Sequence, residues 1–121
     1  MDTRRLAHIF KILSVDNRLR IIQLLKDHAP LCVGAISAQL EITQGAVSQH
    51  LRLLRDADLV VAEKRGYYMH YRLNWETLAL WWKDVTEHLL GLNLGVNLTG
   101  IIPYYNGSDY HDANKEEKDH V

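Results

Sequence analysis

The chain of 121 residues has little cysteine and no long apolar run. Its single cysteine, Cys32, excludes a disulfide within the chain and is typical of a reducing compartment. No stretch approaches the roughly 18 consecutive apolar residues of a membrane-spanning helix. The first residues also lack the apolar core and the cleavage site of a signal peptide. We therefore expect a cytoplasmic protein.

Catalytic motifs and an excess of one charge are also lacking. There is no glycine-rich nucleotide-binding loop and no convincing Ser-His-Asp or Cys-His constellation, so we expect no enzyme. The formal net charge is −1. Residues 108–121 hold five acids and two lysines, and without them 12 basic and 10 acidic residues leave a net charge of +2. This balance permits DNA binding without requiring it.

Apolar residues recur at helical spacing in the first part of the chain. The pattern predicts a first helix over about residues 3–14 and a second over about 16–27, with Asp16 as the N-cap of the second. Pro30 ends this region, because proline lacks the N–H that a continuing helix needs.

Two amphipathic segments follow, a short one from Val33 to Leu40 and a longer one that starts after the N-cap Thr43 and ends near Ala57. One side of the longer segment is apolar, with Val47, Leu51 and Leu54. The other side is polar, with Gln44, Ser48, Arg52 and Arg55. A short helix, a tight turn and a longer helix with a polar outer face are typical of a helix-turn-helix.

A β-hairpin is predicted next, with strands over Leu59 to Arg65 and Tyr68 to Leu73 and a tight turn at Gly66. A hairpin in this position is a wing. The last helix begins near Trp75 after the N-cap Asn74. The predicted fold is mainly α with a small β-hairpin, a winged helix-turn-helix in the order helix, helix, helix-turn-helix, wing, helix. Residues 1–92 would form this domain, and residues 93–121 a C-terminal tail of unknown role.

Three segments carry a resemblance to a known family. They are Phe10 to Ile21 (FKILSVDNRLRI), Val47 to Val60 (VSQHLRLLRDADLV) and Gly66 to Leu73 (GYYMHYRL). Together they resemble the ArsR/SmtB family of bacterial repressors. The resemblance implies a homodimer that binds a near-palindromic operator in double-stranded DNA and is released by an inducer. Asp58 stands where the family prefers glycine, and aspartate can adopt the left-handed conformation at modest cost.

The resemblance also implies which residues face DNA. A recognition helix lies in the major groove with its N-terminal residues nearest the bases, and a wing reaches the minor groove or its flanking phosphates. The residues expected to contact DNA are Thr43, Gln44, Ser48, Gln49, His50, Arg52, Arg55, Lys64, Arg65 and Tyr67. For His50, packing and phosphate contact are both open, and Arg52 and Arg55 can meet phosphates as well as bases.

The first and last helices are the dimer elements of the family. The residues expected at the dimer interface are Leu6, Ile9, Phe10, Leu78, Trp82, Val85 and Leu89. On the last helix they repeat every three or four residues, which suits packing against another helix. Either apolar stripe could equally belong to the core of one chain.

Few residues of the sequence could bind a metal or metalloid inducer. Many family members carry a Cys-Val-Cys metal motif, but the corresponding segment here is Leu31-Cys32-Val33-Gly34, with glycine in place of the second cysteine. A soft metal ion needs two or three thiolate ligands. Asp84 and His88 share a helix face, either as weak metal ligands or as a solvated pair. We therefore predict no metal site and no cofactor, although a metal or metalloid inducer stays open.

A protein-interaction module that has lost DNA binding is the alternative function. The slight net charge and the acidic tail favour it. Salt-dependent DNA binding would separate the two functions, because phosphate contacts release counterions.

Overall fold

The computed structural model describes residues 1–92, and its helices and strands follow the predicted order. The elements are α1 (Thr3–Leu13), α2 (Asp16–His28), β1 (Leu31–Cys32), α3 (Val33–Leu40), α4 (Gln44–Asp56), β2 (Val60–Arg65), β3 (Tyr68–Leu73) and α5 (Trp75–Leu90). The chain divides into two compact units, Met1–Trp81 and Trp82–Val121, with the boundary inside α5. The predicted tail, 93–121, lies outside the described residues. None of the helices in residues 1–92 combines the length and the apolar character of a membrane-spanning segment.

The cap of α2 differs from the prediction. Val15 occupies the N-cap position in an extended conformation, and Asp16 is the first helical residue. The Asp16 carboxylate accepts a hydrogen bond from the backbone N–H of Asn17 at 2.8 Å. The acid still lies at the positive end of the helix dipole, where a carboxylate is favourable. The prediction of Asp16 as N-cap was therefore wrong by one residue.

The wing belongs to a sheet of three strands, and the sequence had indicated only two. The strand order is β1-β3-β2, and both pairings are antiparallel. Leu31 lies opposite Tyr71, and Cys32 lies opposite His70. A strand of two residues is too short to show the alternation by which strands are recognised, which is why β1 was missed.

The core of the first unit forms around α4. Val47, Leu51 and Leu54 are buried along one side of this helix, as their spacing predicted. They belong to a cluster with Ile9 and Ile12 of α1, Ile21 and Leu25 of α2, Ile36 of α3, and Ala57, Leu59, Val60 and Leu73 from the hairpin and its approach. The helix-turn-helix is thus seated on a continuous apolar core.

Two residues other than glycine adopt left-handed backbone conformations at the ends of the helix-turn-helix helices. Glu41 has φ 56° in the turn between α3 and α4, and Asp58 has φ 61° between α4 and β2. The Asp58 N–H donates to the carbonyl of Arg55 at 2.9 Å, which closes the end of α4. The conformation expected for Asp58 is therefore present, whereas that of Glu41 was not anticipated.

Replacing Leu54 by alanine should destabilise the protein strongly. The side chain is fully buried, so the substitution removes apolar contacts and leaves a cavity, at a cost of about 2–5 kcal/mol in the free energy of unfolding. Chemical denaturation would measure the loss. The matched control is Leu19→Ala on α2, where the leucine is 44% exposed and the loss should be much smaller. Equal losses in the two variants would contradict this account of the core.

Candidate nucleic-acid interface

The N-terminus of α4 is held by a side-chain cap. Thr43 is extended, with φ −67° and ψ 152°, and its hydroxyl oxygen accepts a hydrogen bond from the backbone N–H of Ala46 at 3.1 Å. The predicted N-cap is thus confirmed. Because the cap fixes where the helix begins, it also fixes which residues stand in the first turn.

The outer side of α4 is exposed and polar. Exposed residues on or next to the helix include Thr43, Gln44, Ser48, Gln49, Arg52 and Arg55. A shallow depression of about 420 Å³ on this side is lined by Gly45, Ser48, Gln49, Arg52 and Leu53. Gly45 and Leu53 were missed as surface residues, although each lies four residues from Gln49 on the same helix face. The Cα of Gly45 faces open space, with no atom within 4 Å of where a Cβ would stand.

An arginine of α2 fixes the turn before α4. Arg20 donates one hydrogen bond to the side-chain oxygen of Asn17 at 2.9 Å and another to the backbone carbonyl of Leu40 at 3.0 Å. The second bond satisfies a carbonyl in the last turn of α3, where a cation also complements the helix dipole. The hydroxyl of Ser37 donates to the carbonyl of Ile42 across the same turn. The position of α4 after the turn is therefore held by polar contacts as well as by the core.

His50 lies on the flank of α4 and contacts a second arginine of α2. The Nε of Arg18 donates to Nδ1 of His50 at 3.2 Å, and Nη1 of Arg18 donates to the carbonyl of Ile12 at 3.2 Å. Burial lowers the pKa of His50, the positive charge of Arg18 lowers it further, and Asp16 opposes the shift. Of the two roles left open for His50, the structure shows the structural one, and phosphate contact stays a prediction.

The wing presents two cations and two tyrosines around a tight turn. Lys64, Arg65, Tyr67 and Tyr68 are all exposed, and Gly66 adopts φ 64° at the tip. Tyr67 is the most open of them, with 97% of its surface exposed. The predicted bounds of the second strand and the turn at Gly66 are confirmed, whereas the first strand begins at Val60, one residue later than predicted.

Glu63 modifies the charge of the wing, which the sequence analysis missed. Its carboxylate accepts a hydrogen bond from Nε of Arg72 at 2.8 Å and lies 3.4 Å from Nη2 of Arg65. The register explains the first contact, because Glu63 lies opposite His70 and next to the Val61–Arg72 pair on the same face of the sheet. Arg65 therefore has an acidic partner within the chain, which offsets part of the positive charge that it offers to a phosphate.

Residues 16–61, which hold α2, the helix-turn-helix and the start of the wing, match the model of bacterial regulatory proteins of the arsR family. Over 71 residues the chain is 36% identical to the arsenical resistance operon repressor of Bacillus subtilis, an alignment that covers 59% of this chain and 68% of that protein. The chain belongs to the arsR family. The resemblance found in the sequence is thereby confirmed.

Two further relatives add to this. The arsenical resistance operon repressor of Escherichia coli is 41% identical over 66 residues, which cover 54% of this chain and 56% of that protein. The chain thus spans about half the length of this relative. A homodimeric winged helix-turn-helix DNA-binding domain of a possible ArsR-family regulator from Mycobacterium bovis matches the structure with a TM-score of 0.59 at 26% identity. That match covers 74% of this chain and 86% of the other, and it confirms the predicted fold class.

The residues considered as inducer ligands, Cys32, Asp84 and His88, do not form a metal site in the described part of this arsR-family chain. Cys32 is half-buried on β1. In the second unit, Nδ1 of His88 lies 2.9 Å from the backbone carbonyl of Asp84, so the contact is to the backbone and not to the carboxylate. Among residues 1–92, no three histidine, cysteine, aspartate or glutamate side chains are placed to hold a metal ion.

The residues predicted at the dimer interface divide by burial. Leu6, Ile9 and Val85 are buried in the single chain, and Leu78 packs partly buried against the core. Phe10, Trp82 and Leu89 are exposed by 41%, 47% and 63%. For Leu6 and Ile9 the alternative reading, that their stripe belongs to the core of one chain, therefore applies. A dimer interface made by the exposed residues stays a prediction.

Within the first unit, α1 is joined to the start of α5 through Trp81. The indole N–H of Trp81 donates to the carbonyl of Leu6 at 3.3 Å. Its ring also meets Phe10 edge to face, with 4.8 Å between the ring centroids. Sequence spacing had not indicated Trp81 as a contact of α1. The pair ties the exposed Phe10 to a fixed place on the surface.

The pKa of His50 predicts how stability depends on pH. The folded-state pKa lies below the ordinary value of 6.5, so below that value the unfolded chain binds more protons than the folded one. The contribution of His50 is fully present above pH 6.5 and is lost as the pH falls through the folded-state pKa. Urea unfolding between about pH 8 and about pH 5 would show a steeper loss for the wild type than for His50→Gln, which cannot titrate. Parallel curves would contradict the shift.

Proposed function

We propose that this chain is a repressor that binds a near-palindromic operator in double-stranded DNA as a homodimer and leaves it when an inducer binds. The observation that carries the proposal is the two-sided character of α4. Val47, Leu51 and Leu54 are fully buried on one side, while polar residues that can read a groove are exposed on the other. As a binding protein, it needs no catalytic step, and it would work in the cytoplasm, where bacterial operators lie.

The chemistry of α4 supports reading by base contact near its N-terminus. Gln44 and Gln49 carry amides that can bond adenine through two hydrogen bonds, and the hydroxyl of Ser48 is compatible with several bases. Arg52 lies one turn beyond Ser48, where a base or a phosphate can be met. The open surface at Gly45 lets the helix backbone approach DNA closely.

The wing supports binding beyond the major groove. Lys64 and Arg65 flank the tip, and the hydroxyl of the exposed Tyr67 can donate to a phosphate. These contacts add affinity that depends on salt, since each neutralised phosphate releases counterions. Glu63 reduces this contribution through its ion pairs with Arg65 and Arg72.

A homodimer would serve the proposed function in two ways. Two recognition helices can read two half-sites about one DNA turn apart, which a near-palindrome provides. The exposed apolar residues of α5, among them Trp82, Leu89 and Leu90, would also be removed from water.

For the inducer, we propose that no metal is resident in one chain. Cys32 can supply one thiolate ligand, whereas a soft metalloid ion needs two or three thiolate ligands. A metal or metalloid inducer would need ligands from both copies of the chain. An organic inducer is the other outcome of a release experiment.

DNA binding should depend on salt and on Arg52. A duplex selected by the protein from a random-sequence pool should bind with an affinity that falls steeply as salt rises. Arg52→Ala should weaken binding by about tenfold and lower the slope of log affinity against log salt by about one if it contacts a phosphate. Fluorescence anisotropy at several salt concentrations would measure both.

The matched control is Lys26→Ala, which removes an exposed cation at the end of α2, outside the proposed surface. Equal effects of the two substitutions would contradict a specific role of α4. Absence of any salt-dependent binding would favour the interaction module over the repressor.

The dimer should depend on the exposed face of α5. Sedimentation equilibrium should give twice the 14.0 kDa of one chain for the wild type. Leu89→Glu should shift the mass toward the monomer, because a charge would be buried without a partner. Leu19→Glu, at a comparably open leucine of α2, is the control and should leave the dimer intact. A monomeric wild type, or dissociation in both variants, would contradict this interface.

A further inference from the structure

Arg18 joins three helices through a single guanidinium group. It stands in the first turn of α2, donates through Nη1 to the carbonyl of Ile12 in the last turn of α1, and donates through Nε to Nδ1 of His50 in the middle of α4. Both distances are 3.2 Å, and the contacts are partly buried. The fixed fork of a guanidinium makes this a geometric constraint as well as an electrostatic one.

The contact with Arg18 decides which nitrogen of His50 carries the proton. A guanidinium can only donate, so Nδ1 must accept and must be unprotonated. In the neutral ring the proton is then on Nε2. Within residues 1–92 no hydrogen-bond acceptor is bonded to this Nε2–H, and His50 is half-exposed next to the exposed Gln49. The flank of the recognition helix therefore offers one oriented donor.

We propose that Arg18 is a positioning residue for DNA binding, which holds His50 as the Nε2–H tautomer so that the imidazole donates a hydrogen bond to a phosphate beside the major groove. The inference rests on the proposed function, since it assigns a role within the same surface. It adds a residue of α2, outside the helix-turn-helix, to the machinery that places α4 on DNA.

Protonation of the imidazole would undo this arrangement. A proton on Nδ1 replaces the acceptor by a donor that faces the donor of Arg18, and two positive groups then stand in contact. The charged groups that act on His50 are Arg18 and Asp16, both on α2, and Asp16 alone favours the protonated form. The other helix of the motif, α3, carries no charged residue. Repulsion from Arg18 should turn the charged ring away and move Nε2–H out of reach of the phosphate, so DNA affinity should fall with falling pH. A histidine without such a neighbour would keep its contact, gain a charge and bind more tightly.

The test measures operator affinity against pH in four variants. The probe is the duplex that the wild-type protein selects from a random-sequence pool, and anisotropy is recorded from about pH 8 to about pH 5, a range that spans ordinary imidazole titration. Wild-type affinity should fall by about tenfold, as expected for one lost hydrogen bond to a charged group. Arg18→Gln should weaken binding at about pH 8 by a similar factor and remove the fall.

His50→Gln separates positioning from simple structural support. A glutamine oxygen can accept from Arg18 while its amide donates outward, and it does not titrate. This variant should therefore bind more tightly than His50→Phe at every pH and show no fall in acid. The control is His28→Gln, an exposed histidine at the end of α2, which should keep the wild-type pH profile. Circular dichroism verifies that each variant is folded.

Two results would overturn the inference while leaving the proposed function intact. One is salt-dependent binding of the wild type that rises toward acid, or whose pH profile is the same as that of His50→Gln. The other is a nitrogen-15 NMR spectrum of the free protein that places the proton of neutral His50 on Nδ1. If no duplex is selected at all, the proposed function fails, and this role of Arg18 fails with it.

Discussion

The seating of α4 is the constraint on which the rest of the structure depends. Three side chains, Val47, Leu51 and Leu54, are buried to at least 99% along one side of the helix. A rotation about the helix axis would expose them or force polar residues into a close-packed interior. Because that side is fixed, the residues of the opposite side are fixed as well. The surface offered to a partner is thus a consequence of burial.

Polar contacts from α2 complete what the apolar core begins. Arg20 bonds the end of α3, and Arg18 bonds both the end of α1 and the middle of α4. Each of these hydrogen bonds depends on the distance and direction between its donor and one carbonyl or one ring nitrogen, so it adds a directional requirement to the close packing of the core. The two arginines of α2 therefore help to position α1, α3 and α4. Ile21 and Leu25, also on α2, pack in the apolar core that these helices share.

Sequence reasoning succeeded where the determining interactions are local. The bounds of α3 and the cap at Thr43 follow from neighbours within a few residues, and the left-handed Asp58 was expected from the glycine that the family prefers at this position. It failed where the partner is distant in the chain. The strand β1 exists only because β3 pairs with it, and the Arg18–His50 bond spans 32 residues. Leu6 and Ile9 show the same limit, because an apolar stripe does not reveal whether it faces the same chain or another.

The pairing of Glu63 with two arginines gives the wing a built-in counterion. Dissolved ions weaken the attraction between Arg65 and Glu63, and they also weaken the attraction between Arg65 and a phosphate. The two effects act on one guanidinium in opposite directions and partly cancel. The contribution of the wing to DNA affinity should therefore depend on salt less than its number of cations suggests. Lys64 should account for most of this salt dependence.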